Sequence, residues 1–173
     1  MLLLALALRV SQGPGVVFRQ HRAGLAGVPF QLVKFRTMRD TKGNDGKLLP
    51  DELRTTAIGS FLRKTRLDEL PSFWNVVRSE LGFIGPRPLL PHTIQGLGEL
   101  GERRGAVRPG LTGWAQVNGN TLLSLEEKVA LDLWYIENRR WNTDLVIIFA
   151  TIWVMVAGEK LKLLDAEAHQ DGR

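Results

Sequence analysis

The chain has 173 residues, 44% of them hydrophobic and 24% charged. That is enough for one domain with a sizeable core, too short for two, and too apolar for a disordered chain. With no cysteine and three scattered histidines (His21, His92, His169), disulfide scaffolds, thiolate metal sites, cysteine nucleophiles and histidine metal clusters are excluded. The net charge is +5, and residues 1–66 carry 12 basic and 4 acidic side chains against 11 and 14 in residues 67–173, so an anionic partner is expected at the first half.

Met1 to Leu8 is apolar but far shorter than the about 20 residues that span a bilayer. No Lys or Arg precedes it and no small-residue cleavage site follows, so it fits a signal peptide poorly. Ser11-Gln-Gly-Pro-Gly15 breaks the tract. Val16 to His21 and Phe30 to Phe35 read as strands of a β-hairpin joined by the Gly-containing stretch Arg22 to Val28. Lys34 and Arg36 then share one strand face, with Phe35 on the other. Thr41 to Pro50 is a polar surface loop. Thr55 to Thr65 predicts a helix with Ile58, Phe61 and Leu62 on its buried face.

Leu70, Phe73, Trp74 and Val77 follow the i, i+3, i+4, i+7 spacing of an amphipathic helix, with Asp68 at the N-cap and Pro71 in the first turn. The Gly82 to Pro91 stretch (GFIGPRPLLP) and the Arg108 to Asn120 stretch (RPGLTGWAQVNGN) are rich in Gly and Pro and predict rigid loops. Ser124 with Glu127 three residues later is a capping-box pattern and starts a helix to Arg139. A last helix is predicted over Asn142 to Leu164, capped by Asn142 or Thr143. Its 13-residue apolar run, Leu145 to Ala157, is too short to span and reads more readily as a core helix than as a membrane contact. The fold class is α+β: a mostly helical single domain with one hairpin and long ordered loops.

Candidate chemistry starts at Asp68-Glu69. Two carboxylates at a helix start serve first as cap and dipole partner. Arg63, Lys64 and Arg66 just upstream make the alternative worth weighing, a carboxylate held ionised as nucleophile or metal ligand. Pro86-Arg87-Pro88 holds a guanidinium on stiff backbone, suited to phosphate or to a solvated turn. Trp114 with Gln116 and Asn118 offers a base or sugar contact, or a core Trp among turn residues. Asp132 with Tyr135 fits a site edge or a surface pair, and Asp144 fits a helix-start acid.

Three stretches resemble the bacterial sugar transferases, the small monotopic phosphoglycosyl transferases that begin glycoconjugate assembly on a polyprenyl phosphate. They are KFRTM (Lys34 to Met38), LDELPSFWNVVRSELGFIGPRP (Leu67 to Pro88) and RPGLTGWAQVNG (Arg108 to Gly119), and the similarity runs in order from about Arg9 to Asp144. The resemblance implies transfer of a phospho-sugar from a UDP-sugar to undecaprenyl phosphate with release of UMP, initiating exopolysaccharide or other glycoconjugate synthesis. It makes Asp68 the nucleophile, through a phosphosugar-aspartyl intermediate, and Glu69 a catalytic residue and ligand of Mg²⁺. Lys34, Arg63 and Arg87 become substrate-binding cations, with Arg63 toward the polyprenyl phosphate. Arg36, Arg108, Gln116, Asn118, Asp132 and Asp144 complete the candidate substrate-binding set.

The same resemblance places the protein in one leaflet at the cytoplasmic face of the bacterial inner membrane, with no nucleic-acid partner. Family members carry about a helix more at the N-terminus, a re-entrant membrane helix broken at Ser-Pro. Residues 1–10 look like its last turns, which predicts an N-terminally shortened member, with a catalytic domain over 11–164 and a polar tail over 165–173. Asn120 stands where many members have Arg, and Leu125 where many have Trp. Two rival readings are an inactive lipid-phosphate-binding fragment and a helix-turn-helix nucleic-acid module. The second would use helices 55–65 and 68–78 around Arg66-Leu67, and would bring Asp68, Glu69 and an apolar face to the groove.

Overall fold

The structure is a computed structural model and describes residues 1–159. The chain divides into two compact units. The first comprises residues 1–21 and 31–78, the second residues 22–30 and 79 onward. The end of the last predicted helix and the tail 165–173 lie outside the described residues.

In the first unit, helix α1 (Leu2–Gln12) stops at Gly13, whose φ of +81° lies in the left-handed region open to glycine. Leu4, Ala5 and Leu8 turn one side of α1 onto Phe35, Ile58, Leu62, Leu67 and Leu70. Leu8 and Leu62 are fully buried, each contributing roughly 1.5–3 kcal/mol by leaving water. Leu3, Leu6 and Val10 on α1 stay exposed. The predicted hairpin forms, with β1 (Val17–Ala23) paired to β2 (Pro29–Phe35) and a short 3₁₀ turn over Leu25–Gly27 between them; its tip, residues 22–30, counts with the second unit. The polar loop beyond β2 is closed by bridges Met38 to Thr55 and Lys42 to Leu48, and holds a single helical turn, α2 (Asp51–Arg54).

Helix α3 (Ala57–Lys64) begins at Thr56, whose hydroxyl accepts the Gly59 N–H. Ile58 and Leu62 face inward as expected, but Phe61 is exposed. The next element departs from the prediction. A 3₁₀ segment, Leu67–Ser72, runs into a short helix α4 (Phe73–Val77), and Asp68 lies inside the first turn rather than at the N-cap, which Arg66 occupies with φ +56°. The apolar face is inverted too: Phe73, Trp74 and Val77 are exposed, while Ser72 and Asn75 are buried. Periodicity identifies a stripe but not which side is covered, and here hydrogen bonds to β2 decide it. The broken element also removes the continuous second helix that a helix-turn-helix needs.

In the second unit, the two predicted loops each contain a short strand. Strands β3 (Gly82–Ile84) and β4 (Gly110–Thr112) pair in parallel, Gly82 opposite Gly110 and Ile84 opposite Thr112. The backbones come so close that a Cβ on Gly85 would lie 2.4 Å from the Arg108 carbonyl oxygen, which is why the loops need glycine there. Between them run helices α5 (Pro91–Gly96) and α6 (Glu99–Arg104), followed after β4 by α7 (Trp114–Val117).

Helix α8 (Leu125–Glu137) carries the predicted capping box, with Ser124 and Glu127 each accepting the other's backbone N–H. Helix α9 (Trp141–Ala157) starts earlier than predicted and without a side-chain cap. Thr143 donates its hydroxyl to the Asn138 carbonyl instead of capping the helix. A core forms from Trp114, Val117, Tyr135 and Ile147, joined by Ile84, Leu131, Ile136 and Ala150. Only a narrow stripe of α9 is buried, at Ile147 and Val154. Val146, Phe149, Ile152, Trp153 and Val156 are exposed, so the run is not the core helix the sequence suggests. Among the described residues, no helix is long and apolar enough to cross a membrane.

Candidate active site

The first unit brings together Lys34, Arg36, Arg63, Asp68 and Glu69. The left-handed turn at Arg66 redirects the chain out of α3, and the Glu69 N–H then returns to the Arg66 carbonyl at 3.1 Å. Both carboxylates sit half-buried in the first 3₁₀ turn. From β2, Lys34 Nζ donates to Glu69 Oε1 at 2.5 Å, and both side chains keep some solvent access at 17% and 15% exposure. Arg63 is aimed by close packing. Gly59, one turn earlier on α3, lies so near Thr37 that a Cβ would fall 1.9 Å from its carbonyl oxygen, and Arg63 Nε donates to Thr37 Oγ1 at 2.8 Å.

Arg36 has a different task. Its guanidinium donates to the carbonyls of Gln12, Gly13 and Pro14 and pairs with Asp40 at 2.9 Å, which satisfies acceptors at the C-terminal end of α1. The sequence pattern groups it with Lys34, and the structure gives it to the backbone.

The second unit holds Arg87, Arg108, Gln116, Asn118, Asp132 and Asp144. Buried Pro86 and Pro88 flank Arg87, whose carbonyl accepts from Arg104 Nη2. Arg104 is a residue sequence reasoning missed. It is 5% exposed, and its Nε and Nη2 both lie 2.8 Å from Asp132 Oδ2, so Asp132 belongs to a buried ion pair and not to a surface pair with Tyr135. Burial pushes the Asp132 carboxyl up to about 6, against the opposing pull of Arg104. Tyr135 donates its hydroxyl to Asp144 Oδ1 at 2.8 Å, and burial together with that carboxylate holds the phenol well above its usual range.

A small cleft is lined by Arg87, Arg104, Gln116, Asn120, Lys128 and Asp132 among others. Lys128 is also absent from the sequence-based candidates; its only signal is a position one turn before Asp132 on the same helix face. Arg22 feels this basic surface, since burial and then the nearby charge of Arg87 lower its pKa. Asn118 turns its amide inward to the Trp114 carbonyl at 2.8 Å, and Gln116 Nε2 donates to the Leu111 carbonyl at 2.9 Å. Trp114 is a core residue stacked on Trp134 with ring centroids 4.7 Å apart, which settles its role as packing. Arg108 is exposed.

Among the described residues, no group of three or more His, Asp or Glu side chains could hold a metal by itself. Asp68 and Glu69 therefore fit a hard divalent cation only in the open arrangement, where one or two carboxylates bind and substrate phosphates supply further oxygens.

The sequence matches the family model described as bacterial sugar transferase over residues 1–158. It is 44% identical over 154 residues to the uncharacterized sugar transferase EpsL of Bacillus subtilis (strain 168), covering 89% of this chain and 76% of that protein. It is 40% identical over 162 residues to the UDP-glucose:undecaprenyl-phosphate glucose-1-phosphate transferase of Escherichia coli (strain K12), covering 87% of this chain but 34% of that protein. The exopolysaccharide production protein ExoY of Sinorhizobium fredii (strain NBRC 101917 / NGR234) is 35% identical over 161 residues, with 83% and 71% covered. The chain thus spans about a third of the length of the longer relatives. It belongs to the bacterial sugar transferase family.

Proposed function

We propose that the chain is a phosphoglycosyl transferase that moves a sugar phosphate from a UDP-sugar to undecaprenyl phosphate, the step that starts an exopolysaccharide or related glycoconjugate. One observation carries the chemistry: two adjacent carboxylates at the start of a helical turn, with a lysine fixed 2.5 Å from one of them. The names of the glucose-1-phosphate transferase relatives supply the substrate pair.

In the first half-reaction, an Asp68 carboxylate oxygen attacks the β-phosphorus of the UDP-sugar. The P–O bond to the bridging oxygen breaks, and that oxygen leaves with UMP. In the second, a phosphate oxygen of undecaprenyl phosphate attacks the same phosphorus and expels the Asp68 carboxylate. Every participant is an anion, so the barrier falls only where fixed positive charge offsets the developing charge. Lys34 and Arg63 supply it in the first unit, with Arg63 toward the lipid phosphate. Arg87, Arg108 and the cleft residue Lys128 are the second unit's own candidates for an anionic substrate group. Glu69, with Asp68 beside it, would hold Mg²⁺, which when bound neutralises phosphate charge.

One substrate is water-soluble and the other is a lipid, so the reaction belongs at a membrane interface. The exposed apolar sides of α1 and α9 suit immersion in one leaflet, and the basic first half suits anionic headgroups, worth about 1 kcal/mol per nearby Lys or Arg. This reading extends to the cytoplasmic face of the inner membrane, where the nucleotide sugar is available.

The test is UMP release from a UDP-sugar with undecaprenyl phosphate in detergent. Asp68→Asn should reduce turnover to background while leaving the melting temperature within a few degrees. Near-normal turnover in that variant rejects Asp68 as the nucleophile. Binding of lipid phosphate without turnover by the unaltered chain would identify a binding fragment instead.

A further inference from the structure

Ser72 and Asn75 lie on a segment whose apolar neighbours face outward, yet they are 0% and 1% exposed. Both reach backbone groups of β2. Ser72 Oγ donates to the Val33 carbonyl at 2.7 Å. Asn75 Nδ2 donates to the Gln31 carbonyl at 2.8 Å, and Asn75 Oδ1 accepts the Val33 N–H at 3.1 Å. Residues 31 and 33 present their polar groups along the same edge of the strand. The two side chains therefore act as a short surrogate strand on that edge.

Lys34 is the next residue on β2, and Glu69 lies three residues before Ser72. A partly exposed Lys–Glu contact contributes little on its own and is weakened by salt. It cannot by itself hold two elements 35 positions apart in sequence in register. Three hydrogen bonds from fully buried side chains to backbone can, because moving the segment would strand the buried polar groups of Ser72 and Asn75.

We infer that Ser72 and Asn75 are positioning residues: their hydrogen bonds to Gln31 and Val33 set the register of Asp68 and Glu69 against Lys34. The inference rests on the transferase reading for its catalytic consequence, though not for its geometric one. The experiment therefore has two readouts. Turnover is measured for Ser72→Ala and Asn75→Leu, and Lys34 reactivity is measured by trace acylation and mass spectrometry, with exposed Lys64 as internal reference. Both variants should lose at least tenfold in kcat with KM for the UDP-sugar within threefold. Lys34 labelling should rise at least threefold as its contact with Glu69 loosens. Leu8→Ala, which weakens the same unit's core, including its packing on Phe35 of β2, but leaves the hydrogen bonds to Gln31 and Val33 in place, is the control at matched loss of melting temperature. Unchanged Lys34 labelling, or changes no larger than in that control, would overturn the inference. If Asn75→Leu does not fold, Ser72→Ala decides by the same criteria. If the unaltered chain shows no turnover, the transferase reading fails while the labelling still decides the positioning role.

Discussion

The Lys34–Glu69 pair of the first unit and the Arg104–Asp132 pair of the second both join residues distant in sequence, 35 and 28 positions apart. Their settings differ. The first keeps 17% and 15% of its side-chain surface in contact with solvent, the second 5% and 2%. A partly exposed pair can exchange partners when an anionic substrate arrives. A buried pair whose Arg104 Nη2 also donates to the Arg87 carbonyl cannot do so without stranding charge. One unit thus holds an ion pair open to exchange, and the other uses charge to fasten the backbone that carries Arg87.

The sharpest way to break this contrast is Arg104→Met, which leaves the Asp132 carboxyl buried without its partner. The expected loss is about 3–5 kcal/mol in a urea titration, whereas exchanging both residues for apolar ones of similar size should recover most of it. Next in size, Glu69→Gln should lower turnover by roughly 10²-fold, a loss of about 3 kcal/mol in transition-state stabilisation, with little change in melting temperature. Chelation should stop turnover of the unaltered chain, and full activity in excess chelator would remove Mg²⁺ from the scheme.

A pH series separates the pairs further. Asp132 holds its proton more tightly when folded, at about 6 against an ordinary 3.8. Its contribution to stability is therefore full below about pH 4 and is lost as pH rises through about 6. The stability difference between the unaltered chain and Asp132→Asn should shift across that window and be level outside it. The smallest effect is expected at Thr56→Ala, which removes the hydroxyl cap of α3 and should cost about 1 kcal/mol in the first unit.

What the sequence made legible was local or carried by long motifs. The Ser124–Glu127 cap, the hairpin and the stop of α1 at Gly13 each depend on residues a few positions apart. Asp68-Glu69 stood out through the resemblance, since two acids at a helix start have an ordinary explanation. What stayed hidden required distant partners. Nothing near Asp132 announces Arg104, nothing near Asn75 announces Gln31, and the ladder of β3 with β4 joins two loops that each look irregular alone. Of the apolar periodicity of Leu70, Phe73, Trp74 and Val77, only Leu70 turns to the core and the other three face outward, because burial of Ser72 and Asn75 against β2 outweighs it.

Arg66 makes a different demand on anyone who would redesign the protein. Its φ of +56° is a conformation natural to glycine and asparagine and strained for an arginine, at a cost of roughly 1–2 kcal/mol. The position therefore joins a left-handed backbone to a cationic side chain, a combination no natural amino acid reaches without strain. Glycine there would relax the turn and erase the charge, lysine would keep both charge and strain, and valine would lose on both counts. A library built at this position would trade robustness against electrostatics along a single axis, two positions before the first of the two carboxylates.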